Sequence, residues 1–328
     1  VLIFETLSAH QRSAALRSAI ELDLFRAIGE GPGTVASLAK ACNASERGIR
    51  ILCDFLTIIG IQRKTDGLYS HTESSAMFLD PRSPACMAST VGFLSLPAML
   101  EPFGRLTEIV RQGRTTLPGE GTVAPENPDW VEFAESMAPM MAGLAPALSQ
   151  LVTGGRTGPM QVLDIAAGHG LFGIEVAKQN PDARVVAQDW ESVLKVAARN
   201  AKSAGVESRY TLLAGSAFEV DYGGPYDVVL LTNFLHHFDR ETCVRLLRKV
   251  HASLTPGGQA ATLEFVPNDD RVSPQPAAAF SLVMLASTVA GDAYTFRELE
   301  SMYQEAGFRD IAYHPIPRSP QGIVIGSA

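Results

Sequence analysis

The sequence lacks several features that identify common classes of protein. Its 328 residues include only four cysteines, Cys42, Cys53, Cys86 and Cys243, and no two of them have a C-x-x-C spacing. Scattered cysteines indicate reduced thiols in a cytoplasmic protein, so we expect neither a disulfide framework nor a metal site. The longest apolar stretch, VGFLSLPAML, has about ten residues and contains a proline. Such a stretch is too short to span a bilayer.

Positive charge is also scarce. The chain has 27 Lys and Arg residues against 35 Asp and Glu residues, which gives a net charge of −8. A nucleic-acid surface normally carries an excess of positive charge, and this balance argues against one. The opening residues carry no signal-peptide pattern. We therefore expect a cytoplasmic protein that binds neither nucleic acid nor a membrane.

The first part of the chain, over residues 1–98, has mainly helical patterns. Thr34 and Ser45 are placed as N-caps of two short helices, and Gly60 is placed to end the second. Asp66-Gly67 then predicts the turn of a small hairpin. Two helices followed by a hairpin are typical of a winged helix.

The functional interpretation of a winged helix is DNA binding, but the charge of this part does not favour it. Residues 1–80 hold eight Lys and Arg residues against nine Asp and Glu residues, so they offer no basic stripe. A packing or dimerisation module is the preferred interpretation.

A loop rich in glycine and proline follows over residues 113–129, and a single helix is predicted after it, over residues 130–152. This predicted helix carries apolar side chains at helical spacing. They are Phe133, Met137, Met140, Met141 and Leu144. A stripe with several methionines is either part of the core or a flexible pocket wall that faces a substrate.

From residue 156 onward, apolar strands alternate with helices. The helices are predicted over residues 171–179, 191–204, 240–253 and 295–306. This alternation predicts an α/β fold, with a parallel sheet covered by helices on both faces. The chain ends in a hairpin that includes GIVIGS, so the last strand is expected to run antiparallel to its neighbours.

A glycine-rich loop follows the first of these strands. Gly168-His169-Gly170-Leu171-Phe172-Gly173 is a literal G-x-G-x-x-G, and Asp189 lies 21 residues after Gly168 at the end of the next strand. This pattern fits a nicotinamide dinucleotide, but any cofactor with an adenosine group needs the same features. Asp164, just before the loop, would repel a pyrophosphate and suits a cofactor with a cationic amino-acid end.

Several motifs in order now point to one family. VLDIAAGHG, VVAQDW, YDVVLLTNFLHHF and LTPGGQAATLEF resemble the successive motifs of class I S-adenosylmethionine methyltransferases. Together with AGDAYTFRELESMYQEAGF and the N-terminal pattern, the chain is similar over nearly its whole length to the dimeric small-molecule O-methyltransferases. That family includes plant caffeate-type enzymes and bacterial enzymes of natural-product synthesis.

The resemblance implies a fold and a cofactor. The fold is a helical winged-helix dimerisation domain over residues 1–98, followed by a methyltransferase domain over residues 99–328. The second domain comprises pocket helices and a linker over 99–155 and a Rossmann-like core over 156–328, with a mostly parallel seven-stranded sheet whose last strand is antiparallel. The implied assembly is a homodimer that uses S-adenosylmethionine, releases S-adenosylhomocysteine and needs no metal.

The resemblance also implies which residues bind the cofactor. They are Asp164, Ala166, Gly168, Gly170, Asp189, Trp190, Ser216, Ala217, Phe218 and Thr232. Asp189 would hold the ribose hydroxyls, and Ser216 to Phe218 would line the adenine. Two positions depart from the family pattern, because Ser216 replaces a usual aspartate and Ala166 replaces the first loop glycine.

The same comparison assigns roles to the two adjacent histidines. His236 matches the family's general base, which removes a hydroxyl proton from the substrate, and His237 stands where the family has an aspartate. Glu264 matches the carboxylate that orients the base. The family's second glutamate falls at Ala293, so that helper is missing unless Asp292 substitutes for it.

The substrate is then expected to contact a pocket wall made of aromatic, methionine and histidine side chains. Its predicted members are Phe133, Met137, Met140, His237 and Met284, and Met140 replaces a histidine of the plant enzymes. The pKa of histidine is ~6.5 and that of a phenol is ~10, so transfer of the phenol proton to histidine costs about 5 kcal/mol. For an aliphatic alcohol, taken as water-like, the same proton transfer would cost about 12 kcal/mol. A phenol or enol is therefore the favoured acceptor.

Three alternatives remain open from the sequence. The missing second carboxylate is compatible with methyl transfer to carbon or nitrogen on the same scaffold. The glycine loop alone is compatible with a nicotinamide-dependent oxidoreductase. The N-terminal pattern is compatible with a non-enzymatic DNA-binding regulator that senses the cofactor.

Overall fold

The computed structural model describes residues 2–328 and divides into two compact units, with the boundary after Ser95. The helices of the first unit are α1 (Leu2–Leu7), α2 (Ala9–Glu21), α3 (Leu24–Gly29), α4 (Val35–Ala41), α5 (Glu46–Ile58), α6 (Glu73–Phe78) and α7 (Val91–Leu94). Its strands are β1 (Gln62–Thr65) and β2 (Leu68–His71), which pair as an antiparallel hairpin.

Local side-chain chemistry explains these elements. Thr34 and Ser45 each accept a hydrogen bond at 3.1 Å from a backbone N–H in the first turn of α4 and α5. The hairpin turn places Asp66 at φ 51° and Gly67 at φ 79°. Both angles are left-handed, as an Asp-Gly turn of this kind requires. The predicted caps and hairpin are confirmed.

The second unit contains the remaining helices and strands. Its helices are α8 (Pro97–Gly104), α9 (Leu106–Gln112), α10 (Asp129–Ser136), α11 (Ala138–Ala142), α12 (Ala145–Thr153), α13 (Leu171–Gln179), α14 (Glu191–Ser203), α15 (Arg240–Ala252), α16 (Gln275–Ser287) and α17 (Phe296–Glu305). Its strands are β3 (Met160–Ile165), β4 (Ala183–Asp189), β5 (Tyr210–Ala214), β6 (Tyr226–Thr232), β7 (Leu254–Phe265), β8 (Arg309–Pro315) and β9 (Gln321–Ser327).

The seven strands β3–β9 form one sheet in the order β5-β4-β3-β6-β7-β9-β8. The pairs within β5-β4-β3-β6-β7 are parallel, and β9 runs antiparallel to both β7 and β8. The predicted seven-stranded sheet with an antiparallel last strand is confirmed. Because the chain leaves β3 in one direction towards β5 and then returns to β6 on its other side, a crevice forms where β3 and β6 end.

Both faces of the sheet are buried. Val162 and Leu230 join one apolar cluster, whereas their neighbours Leu163 and Leu231 join another. Alternate residues of a strand point to opposite faces, so helices cover the sheet on both sides, as a parallel sheet requires. None of the helices over residues 2–328 has the length and hydropathy needed to cross a bilayer.

The predicted single helix over residues 130–152 is wrong, since this stretch forms α10, α11 and α12. Pro139 and Pro146 each occupy the second position of a new helix. Proline is tolerated there, whereas inside a continuous helix it would remove a hydrogen bond and clash with the preceding turn. The methionines consequently do not share one face: Met137 and Met141 are buried, and Met140 is 38% exposed.

Candidate active site

The glycine-rich loop joins β3 to α13 at the carboxyl edge of the sheet. Ala166, Gly168 and Gly170 all have left-handed backbone angles, with φ of 52°, 55° and 76°. A Cβ atom on Gly170 would lie 2.6 Å from the hydroxyl of Tyr210, so only glycine fits at that position. The loop therefore exposes backbone close to the N-terminus of α13, which suits a ligand that approaches the main chain.

Asp164 lies beneath this loop and has no exposed surface. Its Oδ2 accepts a hydrogen bond from the Gly173 N–H at 3.1 Å, while its Oδ1 has no partner among residues 2–328. Burial and, less strongly, the charge of Asp189 together raise the pKa of Asp164 to about 8 in spite of this hydrogen bond. A nearby cation would stabilise the ionised form of this carboxyl and lower its pKa.

Asp189 ends β4 and holds the same loop from the other side. Its Oδ2 accepts from the Gly168 N–H at 2.8 Å, and its Oδ1 accepts from the Trp190 N–H at 2.7 Å. Burial raises the pKa of Asp189 to about 6 despite these two bonds. An ionised carboxylate has about four acceptor positions, so Asp189 can still bind hydroxyl groups of a ligand.

The segment Ser216–Phe218 follows β5 and contacts residues 234–238, the segment after β6 that contains both histidines. Ser216 Oγ accepts from the Phe218 N–H at 3.3 Å. The Phe218 ring lies 6.4 Å from the Phe234 ring and 5.0 Å from the Phe238 ring. The structure therefore brings the third predicted cofactor segment beside the loop after β6.

Two further residues are predicted to bind the cofactor. Thr232 is the last residue of β6, and Trp190 directly follows β4. Thr232 is buried. Trp190 packs against a small apolar cluster that joins α10 to α14. Both therefore lie at the carboxyl edge of the sheet with the glycine loop.

His236 lies in a short helical turn after β6 and is almost fully buried. Its Nδ1 hydrogen-bonds to Oε2 of Glu264 on β7. The other oxygen of Glu264 accepts from the N–H groups of Phe234 at 3.0 Å and Leu235 at 2.8 Å. Because an ionised carboxylate only accepts, the imidazole proton resides on Nδ1 and leaves Nε2 as the acceptor.

His237 has a different environment. Its ring centroid lies 4.3 Å from that of His236 and 5.2 Å from that of Trp130. Burial and the neighbouring His236 hold the pKa of His237 well below its usual value, so its imidazole is neutral. Its Nδ1 is buried without a hydrogen-bond partner among the described residues. Within residues 2–328, no carboxylate forms a hydrogen bond with Nδ1 of this second ring.

Known proteins share both parts of this architecture. The chain matches the O-methyltransferase dimerisation domain over residues 4–81 and the O-methyltransferase domain over residues 153–309. It is 50% identical to a protein of Nostoc punctiforme described as a candidate O-methyltransferase, whose crystal structure superposes with a TM-score of 0.97 and covers 100% of this chain and 98% of that one. The chain belongs to the O-methyltransferase family.

Two more distant relatives of this methyltransferase are also informative. The 3-hydroxy-5-methyl-1-naphthoate 3-O-methyltransferase of Streptomyces sahachiroi is 27% identical over 92% of this chain and 87% of its own. The structure of human N-acetylserotonin methyltransferase in complex with S-adenosylmethionine is 22% identical and has a TM-score of 0.85, over 99% of this chain and 96% of that one. At that identity, the human structure shows the shared fold alone.

Family membership selects among the interpretations that the sequence left open. The glycine loop belongs to an O-methyltransferase domain and not to a nicotinamide-dependent oxidoreductase. The N-terminal unit matches a dimerisation domain, which favours the packing module over a DNA-binding regulator. Residues 2–328 of the methyltransferase contain no cluster of His, Cys, Asp and Glu side chains able to hold a metal ion.

Sequence reasoning missed two aromatic residues beside His236. The rings of Phe265 on β7 and Phe280 on α16 stack with their centroids 3.9 Å apart. The rings of Phe280 and His236 are nearly perpendicular, with their centroids 4.9 Å apart. Phe280 lies four residues before Met284, so both share one face of α16, and this spacing was the available signal.

His169 within the glycine loop was also left without a role. Its ring stacks on Phe133 of α10 at 6.4 Å, and its Nδ1 accepts from the Leu171 N–H at 3.2 Å. Burial lowers the pKa of His169 to about 4, so this histidine stays neutral. Phe133 therefore packs on the loop itself as well as on Trp130.

The structure also locates the positions around the missing second carboxylate. Ala293 is fully buried, and Asp292 forms an ion pair with Arg271 at 3.1 Å near the surface. Asp292 is thus engaged elsewhere and makes no bond to His236 within the described chain. Of the predicted wall residues, Met137 and Met284 are buried, whereas Met140 is partly exposed.

Proposed function

We propose that this protein transfers a methyl group from S-adenosylmethionine to a hydroxyl oxygen of a phenolic or enolic small molecule. His236 is the general base and Glu264 is the residue that orients it. The observation that carries the proposal is the buried His236–Glu264 pair, at the same sheet edge as the glycine-rich loop of an O-methyltransferase domain. Such a pairing fixes one tautomer and stabilises the imidazolium that forms.

The residues at the sheet edge fit this cofactor. Asp164 offers a buried oxygen without a partner, which a cofactor with positive charge would stabilise. The left-handed loop over Ala166, Gly168 and Gly170 would take the methionine part. Asp189 would accept from the ribose hydroxyls beside Trp190, and the adenine would lie along Ser216, Ala217 and Phe218, with Thr232 near the sulfonium.

The chemistry divides simply between cofactor and protein. S-Adenosylmethionine supplies an electrophilic methyl group when bound. His236 Nε2 would accept the proton of the acceptor hydroxyl as that oxygen bonds to the methyl carbon, while the methyl–sulfur bond breaks and S-adenosylhomocysteine leaves. Glu264 would stabilise the resulting imidazolium. The surrounding side chains hold the acceptor in line, which provides most of the remaining acceleration. No metal takes part in this scheme.

The aromatic surroundings of His236 support a planar acceptor. Phe265, Phe280 and Trp130 place ring surfaces around the two histidines. Met137, Met140, Met284 and His237 complete the proposed wall, with Phe133 between the wall and the loop. Relatives with names such as 3-hydroxy-5-methyl-1-naphthoate 3-O-methyltransferase act on aromatic hydroxyls, in agreement with this surface.

The assembly we propose is a cytoplasmic homodimer. Its interface lies in the winged-helix-like domain over residues 1–98, and residues 99–328 form the catalytic domain. The match of residues 4–81 to a dimerisation domain supports this arrangement.

Two measurements test the function together. Calorimetric titration is expected to show binding of S-adenosylhomocysteine and no comparable binding of NADH. Labelled S-adenosylmethionine is then expected to methylate members of a phenol panel and to leave matched aliphatic alcohols unmethylated. Absence of S-adenosylhomocysteine binding would refute the cofactor assignment, and transfer only to carbon or nitrogen acceptors would refute the proposed acceptor.

A further inference from the structure

A buried glutamine on β4 lies between the two cofactor loops. Gln188 is 2% exposed. Its side-chain Nε2 donates to the Gly215 carbonyl at 2.6 Å, and its Oε1 accepts from the Ala166 N–H at 3.3 Å. β4 is the strand between β3 and β5, so this one side chain bridges the loop after β3 and the loop after β5.

The side-chain amide of Gln188 makes both bonds at once. An amide side chain donates through nitrogen and accepts through oxygen, whereas an ionised carboxylate only accepts and an aliphatic chain does neither. Removing the amide would leave the Gly215 carbonyl and the Ala166 N–H without these partners in a partly buried region. Polar groups that lose a partner there are costly where water cannot reach them, so the two loops would shift to find new partners.

Ala166 gives this bond a particular importance. It adopts a left-handed backbone with φ of 52°, although an alanine side chain disfavours that conformation. Its N–H is held by Gln188 Oε1, and the next N–H, of Ala167, donates to the Gln188 carbonyl at 3.0 Å. Gln188 thus accepts from the N–H groups on both sides of the Ala166 Cα, at the start of the glycine-rich loop.

We infer that Gln188 is a positioning residue for cofactor binding. It holds the loop Ala166–Gly170 and the segment Gly215–Phe218 together, so that both reach one adenosine-containing ligand. This inference rests on the proposed function, because it assumes that these two loops bind S-adenosylmethionine. Gln188 itself need not touch the ligand.

The test is the affinity for S-adenosylhomocysteine, measured by calorimetry on the full chain well below its Tm. Gln188→Leu is expected to weaken binding about tenfold, the equivalent of one or two lost hydrogen bonds. Gln161→Leu, the same change at an exposed position on the neighbouring strand β3, is expected to leave affinity unchanged. Gln188→Glu conserves size and the acceptor but not the donor, and is also expected to bind more weakly.

A second comparison separates positioning from general stability. Glycine adopts left-handed angles readily, so Gln188→Leu is expected to cost less affinity in an Ala166→Gly background than in the natural one. Equal affinity of Gln188→Leu, Gln188→Glu and the natural protein, with only a lower Tm, would overturn the inference. An equal loss in both Ala166 backgrounds would overturn it as well. If the natural protein itself fails to bind S-adenosylhomocysteine, the proposed function fails first.

Discussion

His236 and His237 are adjacent in the chain, yet their imidazoles have different surroundings. Glu264 fixes the ring and the backbone of His236, whereas the buried Nδ1 of His237 has no partner among the described residues. Burial, and to a lesser extent the neighbouring His236, hold the pKa of His237 well below its usual value, so its imidazole stays neutral. The two imidazoles therefore lie in different environments although the side chains are chemically identical.

The positions of single site residues were predictable from the sequence where those residues lie near the carboxyl end of a strand. Asp164, Asp189 and Glu264 belong to strands whose carboxyl ends meet at one edge, so their convergence follows from the α/β pattern. Gln188 and Phe280 were missed because their contacts depend on loops and helices that fold back from distant parts of the chain. The four-residue spacing of Phe280 and Met284 indicates a shared face of one helix, but not how close that face lies to His236.

The buried carboxyl of Asp164 makes a prediction about stability. Its pKa is about 8 in the folded protein against an ordinary value of 3.8, so the folded state holds a proton that the unfolded state has lost. Stability therefore falls as pH rises between these values. We expect the Tm of the ligand-free protein to fall between about pH 5 and about pH 8, and Asp164→Asn to reduce that fall.

Asp189, whose pKa is raised to about 6, contributes in the same way to the fall in stability over the lower part of this pH range. The matched control is Asp182→Asn, an exposed aspartate, which is expected to retain the natural pH dependence. Identical pH profiles for Asp164→Asn and the natural protein would show that Asp164 is not protonated in the folded state.

At the scale of elements, strands were easier to predict than the pocket helices. The central strands β3 and β6 are mostly apolar runs, but the stretch after residue 129 reads as one helix until Pro139 and Pro146 divide it. A loop also fixes α16, because Thr115 Oγ1 donates to the Ala286 carbonyl at 2.6 Å and the Thr122 N–H donates to the Ser287 carbonyl at 3.0 Å. The glycine and proline content of that loop predicted no such attachment.

The segment before α17 packs directly on the histidine turn. A Cβ atom on Gly291 would lie 2.3 Å from the His236 carbonyl oxygen and 2.9 Å from the His237 carbonyl carbon. Both are backbone atoms, so Gly291→Ala must displace the histidine turn. We expect the methylation rate to fall at least about tenfold, because a small displacement of the proposed base His236 from the reacting hydroxyl slows the reaction strongly. We also expect a lower Tm.

The control for this change is Gly104→Ala at the end of α8, where a Cβ atom would meet nothing within 4 Å. Rate and Tm are expected to stay near those of the natural protein. A Gly291→Ala protein with a normal rate would mean that the position of the histidine turn does not limit catalysis.

At the scale of the whole molecule, α1 carries an unusual apolar surface. Leu2, Ile3, Phe4 and Leu7 are each about three-quarters exposed within one chain. Exposed apolar side chains in this number indicate a surface that another molecule covers. The match to a dimerisation domain that begins at residue 4 identifies a second copy as the expected partner.

Light scattering during gel filtration is expected to give twice the chain mass of 35.1 kDa. Phe4→Glu would place a charge in the covered surface and is expected to weaken the dimer at least about tenfold. Leu212→Glu makes the same kind of change at an exposed apolar residue of β5 and is expected to leave the dimer intact. An unchanged mass for Phe4→Glu at high dilution would exclude α1 from the interface.

The most direct test of the account is the methylation rate of His236→Ala with saturating S-adenosylmethionine. General-base catalysis normally contributes at least ~100-fold, so the rate is expected to fall by that factor or more. Binding of S-adenosylhomocysteine is expected to stay close to that of the natural protein, because the residues proposed to bind the cofactor remain in place. A near-normal rate for His236→Ala would contradict the assignment of His236 as the base.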